Sequence, residues 1–387
     1  MSTPDPAGSR NAEGNSKRPG APKRKSVLDR IATRSLDTNP LVASSVDTLA
    51  AVGDETGSFS IDMTGALVLD SLAPLPLSTE TPVHLGELDY SEAESHHLLL
   101  VSDHVLPAEI EALAVSVWNE AGWLSPGSLQ LSHGSSLEGP WSIPAEAAKK
   151  LGLPADIPTS QVYLVRTPAM RGAKPNEQVL SFSEIARAFP SGMPVGPEER
   201  TLDFLQRVCR RLDGAIRIYG SGAVLRPSSG SSINLRVYSN SWMPLEEMET
   251  LLSPYFPGVW NPGPEPTETG SPFALMAPVG SKSQIIVGVR METTPPRALR
   301  WEMWAKEKMY VYEIVWVRPP ELFDLDTAPT RSGRLERNRA ARGIETAAAL
   351  LAHELDSAVR GGAAIIDEDQ FLVGLDVPPL EEEEPRP

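Results

Sequence analysis

Cys209 is the only cysteine in this 387-residue chain. One thiol cannot close an intramolecular disulfide or build a cysteine-based metal cage, so a reducing, cytoplasmic setting is expected. Long apolar runs are missing as well. Nothing approaches the roughly 18–20 consecutive apolar residues of a membrane span, so no membrane partner is expected. Residues 1–20 are polar, with no apolar core of the kind a secretory signal carries. Positive charge is in short supply: 35 Lys and Arg face 51 Asp and Glu, a formal net charge of −16. A chain this acidic repels a phosphate backbone overall, which disfavours nucleic acid except through a local basic patch.

The familiar signatures of chemistry are also absent. Gly220-Ser221-Gly222 lacks the third glycine and the following helix of a dinucleotide fingerprint. Gly280-Ser281-Lys282-Ser283 lacks the upstream glycine of a phosphate loop and lies between strand-like runs. No Gly-x-Ser-x-Gly elbow occurs. His96 and His97 point to opposite faces of a strand and make a poor chelating pair, and His353-Glu354 lacks a second histidine. Convergence of His97, His104 and a remote carboxylate on a metal is the one arrangement left, with no spacing to support it. Asp367-Glu368-Asp369 reads as a solvated turn. No cofactor, no metal and no catalytic residue is assigned, and the balance leans away from an enzyme.

What is present is a change of sign followed by two patterned regions. Residues 1–45 read as a disordered basic tail, densest at Lys23-Arg24-Lys25, with residues 17–34 the only stretch suited to nucleic acid. Residues 46–95 carry acids and no lysine or arginine, broken by two apolar patches at 59–63 and 66–72. These patches read either as strands or as a segment that docks on the folded core. The basic arm is placed to fold back on this acidic stretch through weak, screened contacts.

The predicted fold class is α+β. Two small units with antiparallel or mixed sheets covered by helices span 96–195 and 196–320. A C-terminal helix and hairpin follow at 321–376, then a disordered acidic tail at 377–387. In the first unit a strand at 97–102 precedes a helix opened by Pro107, whose first-turn acids suit the positive end of the helix dipole. A strand is expected at 161–166, with shorter elements at 129–131, 145–151 and 182–189. In the second unit, Leu202, Leu205, Val208, Cys209 and Leu212 recur at helical spacing, so 197–212 is an amphipathic helix with Cys209 on its buried stripe. Strands are expected at 215–219, 223–226, 233–238, 284–292, 297–305 and 309–318, with a helix at 244–252 and a long loop at 254–272. An alanine-rich helix spans 331–360, and 363–366 with 370–375 form a hairpin.

Two short stretches match in kind. Residues 101–109 and 238–246 each end a strand in Ser plus Asp or Asn, then place Pro at the start of an acidic helix turn. Two readings stand: a duplicated strand–helix unit, or two connections drawing on the same few residue types.

Side chains alternate along a strand, and this gives the candidate binding residues. Arg217, Tyr219, Arg236, Tyr238, Arg290, Tyr310, Tyr312, Trp316 and Arg318 are expected on one aromatic and arginine-rich sheet face, opposite an aliphatic one. Such residues suit stacking, anion contacts and protein interfaces. The expected function is a non-enzymatic module binding a protein or small ligand through that face. The alternatives are an enzyme with scattered residues between the units, and weak nucleic-acid binding through the basic tail.

Overall fold

The computed structural model describes residues 24–25, 75–228, 233–279, 283–306, 308–318, 331–357 and 361–379. The apolar patches at 59–63 and 66–72, most of the basic tail and the acidic residues after 379 lie outside them. A two-residue strand, β1 (Arg24–Lys25), comes first. Then follow α1 (Tyr90–Glu94), β2 (His97–Val101), α2 (Pro107–Val117), β3 (Gly122–Ser125), β4 (Ser128–Ser132) and β5 (Ser135–Trp141). The chain continues through α3 (Ala145–Lys150), β6 (Gln161–Arg166), α4 (Glu177–Phe182), α5 (Glu184–Ala188), α6 (Gly196–Leu212), β7 (Ala215–Arg217) and β8 (Val224–Leu225). The rest is β9 (Leu235–Ser239), α7 (Leu245–Leu252), β10 (Phe273–Pro278), β11 (Gln284–Glu292), β12 (Met309–Val317), α8 (Arg331–Leu355), β13 (Ala363–Asp367) and β14 (Leu372–Leu375).

These strands form two antiparallel seven-stranded sheets, ordered β3-β4-β5-β6-β2-β7-β8 and β1-β14-β13-β9-β12-β11-β10. The fold is α+β. Helix α6 and strands β7 and β8, grouped by sequence with the strands after residue 232, belong instead to the first sheet, because β7 pairs with β2. From β2 and from β9 alike, the chain passes through a helix to further strands, and a long helix (α6 or α8) leads into a closing pair of strands; the first sheet adds α3 between β5 and β6, and α4 and α5 before α6. β2 and β9 are interior strands, flanked by β6 and β7 and by β12 and β13 respectively. Leu99 lies between Tyr163 and Ile216, and Val237 between Tyr312 and Ile365.

Each sheet packs helices on one face. On the first, Leu99, Val101, Tyr163, Val165 and Ile216 meet α2 and α6, with Leu202, Leu205, Val208 and Cys209 of the α6 stripe buried and Leu212 half-buried. On the second, Val237, Val287, Val289, Tyr312 and Ile365 meet α7 and α8. Helix α8 comes so close to this layer that a Cβ at Gly343 would stand 2.6 Å from Val279 Cγ1. Tyr312, wholly buried, satisfies its hydroxyl by donating to the Ser241 carbonyl at 2.8 Å and accepting the Met243 amide at 2.9 Å.

The other faces differ. That of the first sheet is covered by Leu88, Ala93, Ile143, Leu151 and Ile157 over Leu98, Leu100, Val162 and Leu164. Among the described residues, that of the second is covered where residues 297–306 cross it, with Leu75 packed beside them. This segment forms two short 3-10 turns, Arg297–Leu299 and Trp304–Lys306, and not the strand that the sequence suggested. Pro295 and Pro296 immediately before it deny a ladder two amide donors, and Ala298, Leu299 and Ala305 lie flat over Tyr238, Val311, Ala364 and Ile366.

Among the described residues, several contacts fasten the two sheets together. Phe371, at the tip of the β13–β14 hairpin, enters the first sheet's core against Phe204, whose ring also meets Trp118 at 4.6 Å. Asp369 beside it takes three hydrogen bonds from Arg210 of α6, at 3.2, 3.0 and 2.5 Å. Arg300 donates to the carbonyls of Val115, Ser116 and Trp118, and Arg297 to that of Val117. Those carbonyls are left unpaired at the end of α2 and sit at its negative pole, so the two guanidiniums cap it.

Candidate interaction surface

The register of the second sheet fixes which side chains share its less covered face. Across β10, β11 and β12, Met276, Ile286 and Val315 stand side by side. The next row toward the covered end is Ala274, Gly288, Glu313, Arg236 and Ile366. Beyond that come Arg290, Val311, Tyr238 and Ala364, under the 297–306 segment at their β9 and β13 end. Among the described residues the first row is partly exposed: Val315 is 40 % exposed, Met276 and Ile286 are half-buried, and in the next row a Cβ added at Gly288 would meet nothing within 4 Å. A shallow, partly exposed apolar row beside a bare glycine therefore lies at the β10–β12 corner.

Charges border it. Arg236 Nε is 2.9 Å from Glu313 Oε1, Arg290 approaches the same oxygen at 3.4 Å, and Arg290 also pairs with Glu292 at 2.6 Å. The partial exposure of these groups makes each pair weak by itself, about 0–1 kcal/mol. They hold the arginines flat and polar beside the apolar row, the arrangement of a protein-contact patch with a charged rim. The corresponding strands of the first sheet, β4 and β5, present Ser128, Gln130, Ser136 and Glu138 in these rows instead. The apolar row belongs to the second sheet alone among these two corners.

The nine residues expected on one face are divided by the structure. Arg236, Tyr238 and Arg290 share the face just described, with Tyr238 buried beneath the 297–306 segment. Tyr310, Tyr312 and Trp316 point the other way, into or against the helix-covered core. Arg217 and Tyr219 belong with the first sheet. Arg217 is buried and donates to the Leu151 and Ala93 carbonyls, whereas Tyr219 is exposed just past β7. Arg318 lies over the Trp316 ring, 5.6 Å from its centroid. Met276, Ile286, Gly288 and Val315 carry no individual signal in the sequence; only strand register assembles them.

One buried polar cluster was half visible. His97 hydrogen-bonds a remote carboxylate, Glu198 of α6, at 2.9 Å. Its Nδ1 accepts the Tyr219 amide at 3.0 Å, so the ring proton sits on Nε2 and is donated to Glu198. The other Glu198 oxygen accepts from the Met170 amide at 2.9 Å and from Arg171. His104 is far out in solvent beside Asp103. Among the described residues, no group of three His, Cys, Asp or Glu is placed to hold a metal ion.

Burial, with Arg171, His96 and Arg217 adding to it, pushes the His97 pKa down to about 4. Protonating Nδ1 would also break the Tyr219 bond. The depressed value gives a sign. Between about pH 6.5 and 4 the unfolded chain binds a proton at this position that the folded chain refuses. Stability is therefore complete above pH 6.5 and falls on acidification through that window, by up to about 3 kcal/mol. Urea titrations at pH 7 and pH 4.5 check this, and His97→Gln should flatten that part of the profile. An unchanged profile in the variant would rule out His97 as its source.

Cys209 is wholly buried on α6, and burial pushes its thiol pKa far up, so it is an inert core side chain. No helix among the described residues is long and apolar enough to cross a membrane. Comparison with protein-family models, with curated proteins and with solved structures finds no match to this chain.

Proposed function

We propose that this protein is a non-enzymatic, cytoplasmic binding module that takes a protein partner on the open row Met276–Ile286–Val315 and its arginine rim. The observation that carries this is the apolar, partly exposed row itself, standing where the first sheet has serine, glutamine and glutamate. A wall-less row of this kind suits a macromolecular surface better than a small ligand, which would need a concave pocket. Two further features favour binding over an enzyme site between the sheets. Phe371, Phe204 and Trp118 fill part of that junction with aromatic rings, and the His97 and Glu198 polar atoms are spent on each other and on neighbouring amides. The common strand and helix order of the two sheets supports descent from one duplicated unit, the second copy having gained the apolar row.

The test is a set of full-length variants compared as bait. Ile286→Asp and Val315→Asp should lose a partner that the unchanged protein retains, with little loss of stability. Leu124→Asp, at a site 68 % exposed on the first sheet, should keep it. Equal retention by all three would sink the assignment.

A further inference from the structure

We infer that the outer edge of β14 is a strand-acceptor site for an extended, lysine- and arginine-rich peptide, filled in this chain by its own Arg24–Lys25. The ladder fixes which backbone groups that edge offers. The Asp367 amide donates to the Phe371 carbonyl at 3.0 Å, and two residues further along each strand Ile365 faces Val373. Hydrogen-bonded pairs alternate along an antiparallel ladder, so Val373 spends its N–H and C=O on β13 while Leu372 and Gly374 turn theirs outward. The Leu372 carbonyl accepts from Arg211 at 3.5 Å. Gly374 stands opposite Lys25, the pair whose backbone groups face each other. Without β1, this strand would end the sheet with N–H and C=O groups of the kind that recruit another chain. The first sheet stops at β8 in the corresponding place, so among the described residues the added strand belongs to the second sheet alone.

Charge and length define what fits and how firmly. Between residues 361 and 385 every charged side chain is acidic, and the exposed Asp376 comes directly after the last paired residue, Leu375. The strand that lies against this acidic stretch comes from Lys23-Arg24-Lys25, the densest basic point of the first 45 residues. In strand addition the main-chain hydrogen bonds supply the attachment and the side chains the selectivity. Here opposite charge is the selective element. β1 is only two residues long, and so few backbone hydrogen bonds are weak enough to exchange for another strand of the same chemistry. The site lies at the opposite margin of the sheet from Met276, Ile286 and Val315 and does not depend on that row.

The experiment is amide hydrogen exchange on the full-length protein. Lys25→Pro removes the donor that faces Gly374, and it should speed exchange at the Gly374 amide by about tenfold. The Val373 amide, which points to β13, should keep its rate and so reports that the sheet is intact. A synthetic peptide of residues 20–30, added to the Lys25→Pro protein, should restore slow exchange at Gly374, and less so as salt is raised. The same peptide carrying Lys23→Glu, Arg24→Glu and Lys25→Glu should leave exchange fast. Equal Gly374 rates in the unchanged and Lys25→Pro proteins overturn the inference, because the edge then holds no strand. A basic peptide that restores nothing overturns it too, since the edge is then closed to a second chain. Equal restoration by the glutamate peptide would contradict the selection by charge.

Discussion

Replacing Phe371 with alanine should lower stability by about 3–5 kcal/mol, and the loss should be felt in both sheets. The side chain is completely buried, and it lies in the first sheet's core although the hairpin that carries it belongs to the second. Deleting a buried phenylalanine removes its transfer free energy and leaves a cavity, the source of that magnitude. The hairpin tip has no alternative place for the ring: Gln370 beside it is held at φ 68°, and the Phe371 amide is tied to Asp367 at 2.9 Å. Hydrogen exchange distinguishes a shared effect from a local one. Faster exchange in β2 and α6 together with β13 and β14 is expected. Faster exchange confined to residues 363–375 would mean that the sheets are energetically independent despite their contact.

Glu198→Ala should cost about 3 kcal/mol, near the lower end of what breaking a buried ion pair costs. Glu198 is wholly buried, and its removal leaves the His97 Nε2–H without an acceptor and the Met170 amide unpaired. Arg171 keeps about a third of its side-chain surface in solvent, so it escapes part of the penalty that a sealed charge would pay. Glu198→Gln should recover some of the loss by keeping an acceptor for His97, though its amide group cannot serve Arg171. In a double-mutant cycle with Arg171→Ala, a coupling near zero would show that the pair is incidental to the fold.

Local periodicity made much of the fold legible. The stripe of Leu202, Leu205, Val208 and Cys209 announced α6, and the runs at 97–101 and 161–166 announced β2 and β6, because each pattern is decided within one turn or one pleat. The hairpin of 363–366 with 370–375 was legible too; what failed was pairing between strands distant in sequence. Alternation showed that Tyr310 and Tyr312 share a face, and that Arg236 and Tyr238 share one. It could not say that Val237 stands opposite Tyr312, and Tyr238 opposite Val311, which puts the two pairs on opposite sides of the sheet. Nor could it assign β7 to the first sheet, a matter of which edge of β2 was vacant. The 297–306 segment misled for a related reason: its apolar residues are buried by lying across a sheet, without joining one. The open row follows the same rule. Met276, Ile286 and Val315 lie on three strands and become neighbours only through register.

The contact surface on the second sheet is tested most directly by Ile286→Asp in the full-length protein, measured for thermal stability and partner capture in parallel. If the row receives a partner, the variant melts within a few degrees of the unchanged protein and captures none of its specific partner. Full capture at matched stability would contradict the assignment.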